Sequence, residues 1–343
     1  MTSLLQEHLL SHPAAEVRDG VKFLYQRQFG GGHMIQNPTV ALTRLNDELA
    51  ACGDGNDALW ESLGNGLCRL NLRAIRGKVS PETVNAMFIH TANTTNGSVG
   101  AFEESLSELY LQRFSRKSLD AYFTEYKTQG YPPVSHSEAY RRTYRPAYRV
   151  VFQRCVDFFP LFCTIDKLLA RATAPVIVAI DGDCGSGKST LGKLLQDIYN
   201  GNLFHADDYF LPPDLRTTER LAQPGGNMHR ERLCSEVLEP LSIGNRAVTR
   251  RFDCASCTLF PPVRHPEKAL NIVEGSYCLH PTLRSFYTLR IFLQTTPERQ
   301  RERIITRSSS AAWERFKALW IPLEKTYFSV CAVEDCADMV FET

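Results

Sequence analysis

The stretch that most constrains this chain runs from Pro175 to Thr190. An apolar run, Val176 to Ile180, rich in β-branched residues, leads directly into Asp181-Gly182-Asp183-Cys184-Gly185-Ser186-Gly187-Lys188-Ser189-Thr190. The spacing of Gly182, Gly187, Lys188 and Ser189 is that of a phosphate-binding loop, and its surroundings agree. A strand pattern precedes it, and Leu191, Leu194, Leu195 and Ile198 follow at helical spacing. Polyphosphate must lie against bare backbone. Gly182, Gly185 and Gly187 permit that approach, and successive N–H groups at a helix N-terminus face the anion. The residues from Gly182 through Asp183, Cys184, Gly185, Ser186, Gly187, Lys188 and Ser189 to Thr190 are therefore the candidate nucleotide site. Lys188 reaches the β- and γ-phosphates, and the Ser189 hydroxyl suits a hard cation such as Mg²⁺.

At 343 residues the length suggests two domains. With 43% apolar and 22% charged residues and a net charge of +1, the chain reads as an ordinary globule with no overall attraction to nucleic acid or anionic membrane. No run approaches membrane-spanning length. The opening Met1 to His8 shows no basic region followed by an apolar stretch, so neither signal nor transit peptide is read. Eleven scattered cysteines then point to reduced thiols and a cytoplasmic setting. Cys254 and Cys257, with Cys331 and Cys336, have the makings of a zinc site, but the second pair is spaced too loosely to favour it.

The first 172 residues read as a mainly α domain. Val17 to Tyr25 suggest a helix stopped by Gly30 to Gly32, where His33 closes a turn better explained as a helix stop than as an anion loop. Thr39–Ala51 and Ala101–Phe123 are helical in pattern, Ser80 and Pro81 start another helix, and Leu67 to Leu72 form a short strand. Tyr140, Tyr144 and Tyr148 interleave with Arg141, Arg142, Arg145 and Arg149, an arrangement able to stack bases or hold phosphates. Pro146 interrupts the face, so packing of the tyrosines between domains with solvated arginines is preferred. From Pro146 to Ala172 the pattern suggests one long apolar-faced helix broken at Pro160.

Residues 173–343 read as a doubly wound, mainly parallel α/β domain. Asn202 to Ala206 form a strand ending in Asp207 and Asp208, and Leu270 to Val273 form one ending in Glu274. Both deliver acids to the carboxyl edge of such a sheet, where ligands bind. A paired acid site suits phosphoryl transfer to a hydroxyl, one carboxylate taking the proton and the other orienting Mg²⁺. After a strand at Leu289–Leu293, Arg303 and Arg307 lie one helical turn apart before the small residues Ser308 to Ala312, a lid-like arrangement. Arg299 and Arg301 read as an exposed face.

This ordered set, the phosphate loop, Asp207-Asp208-Tyr209-Phe210, Glu274-Gly275 and Arg303 with Arg307, resembles the uridine kinase, nicotinamide riboside kinase and phosphoribulokinase superfamily of P-loop kinases. The resemblance covers the C-terminal half only. It implies Asp207 as general base, Glu274 in the metal and hydroxyl network, lid roles for Arg303 and Arg307, and Phe210 against the acceptor's ring. Two departures concern the acceptor. His229 stands where uridine kinases hold ribose hydroxyls with an Asp, and the uracil-contacting segment is matched at Phe252 and Asp253 but continues to Cys257 without the His.

The reading is an ATP- and Mg²⁺-dependent kinase of a small-molecule hydroxyl, a nucleoside or related ribosyl compound by preference. No membrane or nucleic-acid partner is expected, and the oligomeric state stays open, a homo-oligomer included. The competing reading is an ATP-binding sensor or NTPase whose N-terminal domain binds a macromolecule. A third is an inactive nucleoside binder. Cys184, near a helix N-terminus, would be an oxidisable thiol if its pKa were lowered, though a small residue simply tolerated there is the simpler account.

Overall fold

Local chemistry sets the helix boundaries. Asn37, Ser80 and Ser137 each turn a side-chain oxygen onto an N–H three residues on, capping Pro38–Ala51, Pro81–Thr94 and Glu138–Tyr144. The helix Val17–Phe29 ends at Gly30, whose φ of +64° few other residues tolerate. The computed structural model describes residues 3–53, 57–253 and 256–343. The chain divides into two compact units, Met1–Asp166 and Lys167–Thr343.

The first unit is mostly helical around a small antiparallel sheet: β1 (Trp60–Gly64), β2 (Leu67–Asn71) and β3 (Tyr148–Phe152), in that order. Leu5, Val21, Phe23, Leu63, Phe102 and Val150 lie at its core. Two expectations are corrected here. The segment after Pro146 is not one helix: Tyr148 to Phe152 pair with β2, because Val150 and Val151 fit a buried strand better than a helix, and helices follow only at Gln153–Asp157 and Phe159–Arg171. Residues 101–123 are likewise divided, into Val99–Leu106, a 3₁₀ turn and Arg116–Thr128. The interleaved tyrosines pack within this unit. Tyr140 is buried and stacks on His136 with ring centroids 4.1 Å apart, while Arg141, Arg142 and Arg145 are exposed.

In the second unit five parallel strands form one sheet: β4 (Val176–Gly182), β5 (Asn202–His205), β6 (Leu270–Glu274), β7 (Leu289–Gln294) and β8 (Met339–Glu342). Their order is β8-β7-β4-β6-β5. β4 is buried along its whole length, as the centre of a parallel sheet covered on both faces must be. The chain crosses from β4 outward to β5, returns through β6, then continues on the other side through β7. The carboxyl end of β4 is thus the point where winding reverses, the expected location of a ligand crevice. No helix among the described residues is long and apolar enough to cross a membrane.

Candidate active site

The loop leaving β4 wraps into the helix Lys188–Tyr199 through Gly182, Gly185 and Gly187, with φ of +139°, +77° and +96°. A Cβ placed on Gly187 would meet nothing within 4 Å, so the space beside the loop is open at that point. Lys188 is buried, and its Nζ donates to the carbonyls of Gly182 (2.7 Å) and Asp183 (3.0 Å). Burial works against its ammonium charge, but the carboxylates of Glu324, Asp181 and Asp207 more than offset it and raise the pKa. The Ser186 hydroxyl is buried with no partner among the described residues. Open space, glycine backbone, a fixed ammonium and an unpartnered hydroxyl together fit a polyphosphate.

Parallel register places the acids. Glu274 pairs with Ile180 of β4 on one side and His205 of β5 on the other, so its carboxylate stands beside the loop. Ser189 Oγ donates to Glu274 Oε2 at 3.1 Å, and His205 Nδ1 bonds Oε1 at 2.5 Å. That bond raises the His205 pKa and favours a protonated ring. A serine hydroxyl and a carboxylate oxygen in contact fit a hard divalent cation. Asp207 follows β5 on the turn Ala206–Tyr209, is exposed to solvent, and makes no hydrogen bond among the described residues. Partial desolvation raises its carboxyl pKa, against the opposing charge of Lys188 and with the support of Glu274. A raised pKa on an acid beside the loop suits proton transfer.

The lid side forms around helices Pro297–Arg307 and Ser310–Arg315. Arg303 Nη1 donates to the Gly185 carbonyl and to Thr343 Oγ1, both at 3.2 Å, and so lies against the loop. Arg307 is exposed one turn on. Phe210 is half-buried, its ring centroid 6.4 Å from that of Trp320. His229 sets its Nδ1 3.4 Å from the N–H of Arg232 at the start of Arg230–Leu233, a helix-capping position. Asp253 accepts Ser256 Oγ at 2.7 Å.

Three supports escaped the sequence reading. Glu324, buried on the helix Ile321–Val330, accepts the Cys184 N–H at 2.9 Å and the Ser276 hydroxyl at 2.5 Å. Asp181, fully buried, accepts from Gly182 N, Leu279 N and the Tyr327 hydroxyl at 2.8 to 2.9 Å, and burial lifts its pKa to about 6. His205 completes the trio. Only the Glu324 and Tyr327 spacing, one helical face, offered a signal. Two side readings change as well. Burial raises the Cys184 thiol pKa, which removes the physical basis for an activated thiol there. In the suggested zinc set, Cys254 lies outside the described residues, Cys257 is exposed, and Cys331 and Cys336 are half-buried. Among the described residues, the group gathering three metal-type ligands is instead His8, His12 and Glu61.

No protein-family model matches the chain. No curated protein matches it in sequence. Solved structures do. A possible uridine kinase from Bacillus stearothermophilus matches at 20% identity and a TM-score of 0.39, over 53% of this chain and 98% of that one. A protein put forward as a fructose transport system kinase, from a Silicibacter species, matches at 21% identity and 0.40, over 52% and 95%. Shikimate kinase from Acinetobacter baumannii matches at 16% identity and 0.30, over 51% and 86%. The class itself rests on the parallel sheet and the loop at its switch point: Lys167–Thr343 has the fold of a P-loop kinase.

Proposed function

We propose that the unit Lys167–Thr343 transfers the γ-phosphoryl group of ATP to a hydroxyl of a small molecule. The observation that carries this reading is the gathering of Lys188, Ser189, Glu274 and Asp207 around the glycine loop at the carboxyl edge of β4. A sensor or simple NTPase needs the loop and the cation site. It has no need of a second, exposed acid with a raised pKa beside them.

Each side chain then has a task. The loop amides from Gly182 to Thr190 and the Lys188 ammonium hold polyphosphate oxygens. Ser189 and Glu274 offer oxygen ligands, and Mg²⁺ bound there would supply charge neutralisation at the transferring group. Asp207 takes the acceptor's hydroxyl proton onto its carboxylate, a role contributing about 10² to 10⁴ in rate. Arg303, already against the loop, and Arg307 place fixed positive charge where negative charge develops, worth about 10³ to 10⁵ in comparable sites. His205 holds Glu274 in place through its Nδ1.

For the acceptor we favour a nucleoside or related ribosyl compound. The rings of Phe210 and Trp320 offer two aromatic faces to a planar group. His229 and Asp253 would meet the ribosyl hydroxyls and the ring, respectively. One imidazole nitrogen accepts one hydrogen bond, so this site would grip a ribose less firmly than a carboxylate would. Mg-ATP turnover against nucleosides, ribosyl-pyridines, sugars and pantothenate tests the proposal. A single class that lifts ADP release supports it, whereas ATP hydrolysis indifferent to every acceptor would favour the sensor reading.

A further inference from the structure

The unit Met1–Asp166 buries a connected set of charged and polar side chains on which the kinase reading makes no demand. It begins at Asp19, fully buried on the helix Val17–Phe29. Asp19 Oδ1 accepts His136 Nδ1 at 2.8 Å and Ser137 N at 3.0 Å. Its Oδ2 accepts Ser137 Oγ at 2.6 Å and Glu16 N at 3.0 Å. With Nδ1 donating, Nε2 of a neutral His136 accepts the Tyr148 hydroxyl at 2.7 Å. Beyond Tyr148, Gln26 Oε1 accepts Arg69 Nε at 2.9 Å, and Arg69 Nη1 donates to Glu61 Oε2 at 3.0 Å. His8 Nδ1 completes Glu61 at Oε1. The Arg69 guanidinium lies between aromatic faces, 4.7 Å from the Tyr148 centroid and 5.3 Å from that of Phe23.

Each carboxylate oxygen of this set accepts at least one hydrogen bond; the atoms left without a partner among the described residues are two donor groups, Gln26 Nε2 and Arg69 Nη2, and one acceptor, His8 Nε2. Both oxygens of Asp19 and both of Glu61 are engaged as above. Lys22 is only 8% exposed, yet its Nζ has a backbone carbonyl, Val134 O at 2.9 Å, and no carboxylate partner among the described residues. Gln26 Nε2 and Arg69 Nη2, on residues 1% and 3% exposed, have no partner among the described residues. Lys22 and Gln26 lie one turn apart on a single helix, Gln26 Oε1 accepts Arg69 Nε, and the Arg69 charge acts on Lys22. Burial and the Arg69 charge together lower the Lys22 pKa to about 8. The exposed His33 also feels the Lys22 charge.

A network built only to hold the fold would pair such donors, because an unsatisfied buried polar group is costly and a charged one more so. Roughly six N–H groups remain: two each on Lys22 Nζ, Gln26 Nε2 and Arg69 Nη2. A carboxylate has two oxygens, with about four acceptor sites for such a set. A phosphate group presents three terminal oxygens and more negative charge, matching both the number and the sign. We infer that Lys22, Gln26 and Arg69 form a second ligand site, for a phosphate group, free or carried on a small molecule.

The test uses the full chain with Lys188→Ala, so that the glycine loop of the other unit does not contribute. Hydrogen exchange is followed with and without ~10 mM inorganic phosphate, and separately with ~10 mM glycerol 3-phosphate. For a millimolar site, exchange through unit opening slows about tenfold, the factor 1 + [L]/Kd. That slowing is expected in peptides covering Val17–Phe29 and Leu67–Asn71. Protection by phosphate identifies the free ion, and protection by the ester alone identifies a carried group. Gln26→Glu supplies the missing negative charge internally while keeping the acceptor for Arg69 Nε, so it should fold and lose the protection. Lys22→Met should also fold, since it removes a buried charge that has no carboxylate partner, and it should lose the protection too. Absence of protection by either ligand overturns the site. So does equal protection in Gln26→Glu, or in Lys22→Met.

Discussion

Two glycines of the phosphate loop should respond to the same substitution in opposite ways. A methyl added at Gly182 would stand 2.1 Å from the Leu293 carbonyl oxygen, 2.7 Å from its nitrogen and 2.8 Å from its carbonyl carbon. These are backbone atoms of β7, in register with Gly182, and they yield only if the two strands part. The φ of +139° adds strain of about 1–3 kcal/mol, and overpacking adds about 1–3 more. Gly182→Ala should therefore lose about 2–6 kcal/mol, much of the 5–15 kcal/mol typical of a domain. At Gly187 the φ is +96° and the new methyl meets nothing, so the strain term of about 1–3 kcal/mol stands alone. That methyl would stand in the open space beside the loop. Gly187→Ala should stay folded while ATP affinity drops at least tenfold, about 1.4 kcal/mol or more. Trp60 is the sole tryptophan of the first unit, so in a Trp60→Phe background Trp313 and Trp320 report urea unfolding of the second. Nucleotide binding is titrated separately. Equal loss of stability in both variants, or wild-type ATP affinity in Gly187→Ala, would refute the reasoning.

Further expectations follow from the same geometry. Asp207→Asn should lower phosphoryl transfer by about 10² to 10⁴ while ATP affinity changes little, because Asp207 bonds neither Lys188 nor the loop. Comparing kcat with nucleotide Kd checks it. Glu324→Gln offers one acceptor oxygen to two donors, leaving Cys184 N–H or the Ser276 hydroxyl unmet. It should cost the second unit about 1–3 kcal/mol in urea unfolding, and unchanged stability would show that the loop is held otherwise. Acid should affect the two units differently. Burial holds His8 and His136 neutral, with pKa values near 4, so the unfolded chain takes protons first as pH falls below about 6.5 and the first unit loses stability. Burial alone would raise Asp19, but hydrogen bonds from His136 and Ser137 bring it to about 2, so its contribution, full above 3.8, is lost toward 2. Asp181, raised to about 6 by burial, acts in reverse: its protonation in the fold favours the second unit as pH falls from about 6 to 3.8. Unit-resolved hydrogen exchange at pH 7 and 5 should show the first unit opening sooner in acid. Equal destabilisation of both would contradict this.

The C-terminal half was legible because its constraints are local. A β-branched run, a glycine loop and acids at strand ends each carry their own pattern, and parallel strands need no partner sequence to be recognised. What escaped notice depends on distance along the chain. Glu324 reaches Cys184 across 140 positions, and nothing near Leu323 or Lys325 marks it as buried. His205 draws meaning from Glu274, on a strand next to its own in space and far off in sequence. In the N-terminal half, helix starts such as Ser80 with Pro81 could be read from capping chemistry. The strand Tyr148–Phe152 could not, because its apolar residues also fit helical spacing until β2 is present to pair with them. The tyrosine and arginine interleaving was similarly ambiguous: Tyr140 joins the core, Arg141, Arg142 and Arg145 face solvent, and Arg149, against expectation, is buried and paired with Glu48, an outcome decided by packing rather than by spacing.

In the proposed reaction Asp207 and the glycine loop together move a phosphoryl group to an acceptor hydroxyl. The most direct measurement follows γ-labelled ATP in the presence of Mg²⁺ and the acceptor panel, with wild type and Asp207→Asn side by side, and asks where the label goes. The account predicts label in one acceptor class with wild type and about 10² to 10⁴ less with Asp207→Asn at equal nucleotide occupancy. Label appearing only as inorganic phosphate, or reaching an acceptor equally with both proteins, would contradict it.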